Sequence, residues 1–133
     1  MNPIIQTKLS TRDGSVRGNC FRACLASILE IDIDSIPAFE DMGSEWHKPF
    51  FDFLRQHDLE FHGTGRFNSE FHVDLFPKYE GIDGYVIVGG KSPREWVTRG
   101  HAVLYRNGEL AHDPHPEGGG LTELECYYMI TKQ

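Results

Sequence analysis

The chain has 133 residues with 20 acidic and 13 basic side chains, a net charge of −7. That length suits one core and excludes a separate cofactor-binding module, so residues 1–133 are read as a single domain. Acids are spread along the whole length with no basic run, which excludes a footprint for nucleic acid or anionic lipid and leaves proteins, peptides or small molecules as partners.

Residues 3 to 9 are expected to form a short first strand, and Ser10 to Asn19, rich in Thr, Asp, Gly, Ser and Arg, a loop. From Cys20 the apolar residues Phe21, Cys24, Leu25, Ile28 and Leu29 share one helical face, with Asn19 as the predicted cap and an end near Glu30. Small residues Ala23, Ala26 and Ser27 allow close approach on another side. Ile31 to Pro37 ends this helix and carries one further turn.

A second helix is predicted from about His47 to His57, with Trp46, Phe50, Phe53 and Leu54 facing the core and Pro49 confined to its first turn. A strand at Leu59 to His62 follows. Gly63 to Gly84 shows no sustained period and reads as irregular, a candidate substrate-facing insertion. Tyr85 to Gly89 is continuous and β-branched between glycines, as a central strand buried on both faces would be. Ser92-Pro93-Arg94-Glu95 carries the signals of a short helical turn. A hairpin over 101–113, the loop Gly118-Gly119-Gly120 and a last strand around Tyr127 to Ile130 complete the chain. Helices first and antiparallel strands later make an α+β pattern.

No basic segment followed by an apolar stretch opens the chain, and no window approaches the ~18 apolar residues of a membrane span. A soluble, cytoplasmic, monomeric protein without membrane contact is expected. Cys20 and Cys24 lie four apart on one helix, so reduced thiols are the simplest reading of the three cysteines. The spacing of Cys20, Cys24, His112 and His115 matches no C-x-x-C or H-E-x-x-H pattern, which argues against a metal site. Cys24 falls on the apolar stripe and Cys126 beside the last strand, with no role assigned. Trp96 is a candidate wall of the site.

Cys20 carries the functional argument. A thiol in the first turn of a helix meets unpaired N–H groups and the positive end of the dipole, which lower its pKa below the free value of ~8.5. About eighty residues downstream, His101 opens an apolar run, Asn107-Gly108 reverses it, and Asp113-Pro114 ends the return. Cys20, His101 and Asp113 supply nucleophile, base and orienter. A two-residue turn with regular strands puts His101 and Asp113 on opposite faces. A three-residue loop Arg106-Asn107-Gly108, with Gly108 in a G1 bulge and Tyr105 opposite Glu109, puts them on one, so the bulged turn is predicted. The first oxyanion donor is the Cys20 N–H; the second is Gln6, with Asn19 the alternative.

The Asn-Cys helix start, the Gly100-His101-Ala102-Val103 run and His112-Asp113-Pro114 resemble the papain-like cysteine peptidases, especially the small double-glycine leader peptidases. The resemblance covers residues 15–30 and 100–116. It implies a papain-like α+β fold, with a nucleophile helix packed on a C-terminal antiparallel sheet, and catalytic roles for Cys20, His101 and Asp113. The family's glutamine six residues before the cysteine is replaced here by Gly14, and no transporter segment is attached. Gly18-Asn19-Cys20-Phe21-Arg22-Ala23 is also similar to the helix start of OTU-type deubiquitinases. The implied activity is hydrolysis of a peptide or isopeptide bond with no metal or organic cofactor. The alternatives are acyl transfer or deamidation on the same three residues, or a non-catalytic peptide- or ligand-binding effector of a mobile genetic element.

Overall fold

The computed structural model describes residues 1–67 and 81–133. Among these residues two α-helices, α1 (Cys20–Leu29) and α2 (His47–Gln56), precede five strands, β1 (Leu59–Arg66), β2 (Tyr85–Lys91), β3 (His101–Arg106), β4 (Glu109–His112) and β5 (Glu123–Lys132). The strands form one antiparallel sheet in the order β1-β5-β2-β3-β4. The α+β pattern is therefore present, with β2 at the centre. Alternation along β2 sends Ile87 to the helix side of the sheet and Val86 and Val88 to the other, where they meet Val103. This is why its sequence reads as a continuous apolar run.

Helix α1 is buried on nearly every side, Ala23, Cys24, Leu25, Ala26 and Ser27 having no exposed surface. The small residues admit the N-terminal segment, whose Asn2 N–H donates to the Ser27 carbonyl and Ile4 N–H to Ser27 Oγ, while the apolar stripe meets the sheet. Glu30 ends the helix in the left-handed region at φ 57°. A 3-10 turn at Ile33–Ser35 supplies the expected further turn, and two more, Phe39–Asp41 and Gly43–Trp46, lead into α2. Phe50, Phe53 and Leu54 of α2 are buried, with Trp46 packed partly against them.

Some expectations are corrected. Residues 3 to 9 form no strand: their backbone groups bond to the side chains of Ser27 and Asn19 and to the backbone of Asn19 and Pro114 rather than to a ladder. The 59–62 strand runs on to Arg66 because β5 offers it a partner as far as Cys126. Ser92 to Glu95 makes only a turn, although Ser92 Oγ does accept from Arg94 N–H. The remainder of the proposed substrate-facing insertion, residues 68–80, lies outside the described residues. Among the described residues no helix is long and apolar enough to cross a membrane.

Candidate functional site

Three segments meet at Cys20. It is the first residue of α1 and half-buried, and the Asn19 carbonyl accepts the first helical bond, from Ala23 N–H. The N–H groups of the first turn therefore have no partner within the helix. Across from it the start of β3 brings up Ala102, whose N–H donates to Cys20 Sγ at 3.3 Å.

The hairpin after β3 positions the rest, by a different route from the one expected. Asn107 and Gly108 both take positive φ, 54° and 79°, and Arg106 pairs with Glu109, so the loop has two residues of type I′ character. The predicted three-residue loop with Tyr105 opposite Glu109 does not form. Asn tolerates the left-handed region and Gly occupies it without strain, so Asn-Gly satisfies the tighter turn by itself. The irregularity lies further along: Tyr105 pairs with Leu110 but Leu104 with His112, which makes Ala111 an extra residue in β4. One inserted residue returns His101 and Asp113 to the same face.

His101 Nε2 donates to Asp113 Oδ1 at 2.7 Å, with both side chains only 5 % exposed. A carboxylate only accepts, so this contact fixes the ring's tautomer and leaves Nδ1 for the thiol side. Asp113 is itself held, its Oδ1 accepting from His115 N–H at 2.9 Å and its Oδ2 from Gly120 N–H at 2.8 Å. Burial, the largest single influence on His101, disfavours the imidazolium, but Asp113 and Cys20 together outweigh it and raise the pKa from 6.5 to about 9. Burial likewise opposes the Asp113 carboxylate, and the bonds from His101, His115 and Gly120 nevertheless hold its pKa below the usual value. The glycine loop is pinned here by Gly120 and by Arg94 Nη2, which donates to the Gly118 carbonyl at 2.5 Å.

A cleft of about 550 Å³ opens over Cys20 and His101, walled by Gln6, Arg94, Trp96 and Glu117 among others. A smaller hollow of about 230 Å³, lined by Gly89, Gly90, Cys126 and Tyr128, lies beside it; Cys20, Arg99 and His101 border both. Trp96 is thus a wall, with the Arg12 guanidinium 3.9 Å above its ring.

Gln6 is 7 % exposed and lines the cleft with Cys20. Its backbone N–H donates to the Pro114 carbonyl and its Nε2 to the Lys8 carbonyl, while Oε1 has no partner among the described residues. Gly18 makes room for it, since a Cβ there would stand 3.0 Å from Gln6 Nε2. Asn19 is directed elsewhere. It is 1 % exposed and makes no side-chain cap, because Oδ1 accepts from Thr7 and Lys8 N–H and Nδ2 donates to Thr7 Oγ1. It does not border the cleft.

Cys24 is fully buried and its thiol pKa is pushed well up by burial. His112 Nε2 donates to the Ile4 carbonyl, a structural use that its sequence position does not announce. Among the described residues no group of His, Cys, Asp and Glu is arranged to hold a metal ion. Sequence reasoning missed the cleft arginines; their scatter through the chain hides that they converge. No family model, curated protein or solved structure matches the chain.

Proposed function

We propose that the protein is a cysteine hydrolase of papain-like arrangement, acting on a peptide or isopeptide bond through a Cys20-His101-Asp113 triad. The observation that carries this reading is the buried His101, tied to Asp113 through Nε2, beside a thiol at a helix start that already accepts an N–H. A histidine that stays protonated to about pH 9 next to a cysteine supports its use as the acid that hands a proton to the leaving amine.

In this mechanism Cys20 Sγ attacks the carbonyl carbon and the C=O electrons move to oxygen. The Cys20 N–H stabilises that oxyanion, and Gln6, which keeps a second Nε2 proton beyond the one given to Lys8, is the proposed second donor. The C–N bond then breaks as imidazolium His101 protonates the leaving amine. Water attacks the thioester, His101 takes its proton, and the acid departs as the thiolate returns. Asp113 stays ionised throughout and keeps the ring oriented. The two hollows, which share Cys20 and His101 in their linings, suit an extended chain crossing the thiol.

Alkylation by iodoacetamide at pH 6, read by mass spectrometry on the native protein, tests the reading. An unactivated thiol of pKa ~8.5 is less than about 1 % ionised there. Cys20 is expected to react about a hundredfold faster than Cys126, with Cys24 silent, and His101→Ala to remove the difference. Equal rates at Cys20 and Cys126 would overturn the proposal.

A further inference from the structure

The cleft over Cys20 is basic in an acidic protein. Against a net charge of −7, four of the chain's eight arginines, Arg12, Arg17, Arg94 and Arg99, line this one hollow. Among the described residues none of the four pairs with a carboxylate, whereas Arg22 and Arg55 do. Arg12 lies on Trp96, and Arg17 Nη1 donates to the Glu40 carbonyl. Arg94 spends Nη2 on the Gly118 carbonyl and keeps Nη1 buried with no partner among the described residues. Arg99 is exposed and borders both hollows beside the thiol.

The acids of the lining do not cancel this charge. Glu40 is already neutralised by Lys8 Nζ at 2.6 Å and Arg22 Nη2 at 3.2 Å, which among the described residues leaves the exposed Glu117 against four guanidinium groups. A buried, unpaired guanidinium N–H is costly, and a ligand carboxylate reaching it would relieve that cost with a charge-assisted bond.

We propose that the cleft selects a polypeptide bearing acidic side chains next to the bond that is cut, with Arg94 and Arg99 as the principal carboxylate contacts. The assignment deepens the hydrolase reading and rests on it. Leu9, Val16, Trp96 and Val97 line the same cleft as the arginines, as suits a peptide's mixed surface. Sγ needs an acyl carbon beside the anionic group, which a peptide offers and a nucleic-acid backbone does not.

The test compares iodoacetate, which is anionic, with neutral iodoacetamide. Their rate ratio at Cys20 cancels the thiol's own nucleophilicity and reports the positive charge around Sγ, and its change in the arginine variants separates their share from that of His101, even if Cys20 is no more reactive than Cys126 and the hydrolase reading has failed. At pH 7 and low ionic strength the ratio should exceed that of N-acetylcysteine by about tenfold, fall about threefold in Arg99→Gln and again in Arg94→Gln, and collapse in about 1 M salt. In parallel, Cys20→Ser is titrated by fluorescence anisotropy with a labelled decapeptide carrying two glutamates and with its glutamine counterpart. The acidic peptide should bind at least about fivefold more tightly, and Arg94→Gln with Arg99→Gln together should erase the preference. Ratios unchanged in the arginine variants, equal binding of the two peptides, or displacement of the acidic peptide by a short oligonucleotide of lower apparent Kd would each overturn the proposal.

Discussion

Asp113→Asn removes one charge and almost no volume, so it isolates the electrostatics of the site. Oδ1 of Asp113 accepts from His101 Nε2 and His115 N–H, and Oδ2 accepts from Gly120 N–H. An asparagine has one accepting oxygen, so whichever way it turns its NH2 faces a donor. The larger effect is on His101, because burial favours the neutral ring once the carboxylate is gone. The rise from 6.5 to about 9 corresponds to at most about 3 kcal/mol of stability, an upper bound for Asp113 because Cys20 shares in it. The folded pKa of His101 lies above its unfolded value, so this contribution is complete below pH 6.5 and is lost as pH rises through about 9. The pKa of Asp113 is lowered, so its side of the pair is present above 3.8 and lost as pH falls through the depressed value. The difference in unfolding free energy between the native protein and Asp113→Asn, measured by urea denaturation, should peak at about 3 kcal/mol between about pH 5 and 6.5. It should shrink toward about 1 kcal/mol near pH 10, where the ring is neutral and only the hydrogen bonds accepted by the carboxylate distinguish the two. A difference that stays flat from pH 6 to pH 10 would refute the coupling.

Deletion of Ala111 removes the extra residue of β4 while keeping the Asn-Gly turn, and should rotate Asp113 away from His101. The His101 pKa, followed by NMR titration of its ring protons, is expected to fall from about 9 to 6.5 or below, and a pKa still near 9 would show that the bulge does not set the facing. Asn19→Ala leaves the Thr7 and Lys8 N–H groups and the Thr7 hydroxyl without their partner and should cost about 2–4 kcal/mol in urea unfolding. A loss below about 0.5 kcal/mol would mean that water replaces the amide freely.

The helix at Cys20, the central strand at Tyr85 and the reversal at Asn107-Gly108 were legible because each is dictated within about ten residues, by apolar period, β-branching or turn chemistry. The proximity of His101 and Asp113 was legible as a requirement but not as a geometry. A turn type is encoded locally, whereas the extra residue at Ala111 depends on how β4 accommodates both β3 and the Pro114 segment that Gln6 holds. Asn19 was misread for a related reason. Asparagine before a helix is a good cap, but here a segment twelve residues upstream takes both ends of its amide. The arginine-lined cleft was invisible, since Arg12 and Arg17 come from one loop and Arg94 and Arg99 from another about eighty residues away.

The segment that failed to become a strand turns out to connect the parts of the site. Ile4 bonds through its N–H to Ser27 Oγ on α1 and through its carbonyl to His112 at the end of β4. Gln6 N–H holds the Pro114 carbonyl, one residue beyond Asp113, and the next two residues are tied to Asn19, one residue before Cys20. The helix carrying the thiol and the strand end carrying the carboxylate are thus clamped by one short stretch of backbone. A strand in a ladder would have spent those donors and acceptors on a neighbouring strand. As an irregular strap it spends them on the two elements whose relative position decides whether His101 can face Cys20 and Asp113 at once.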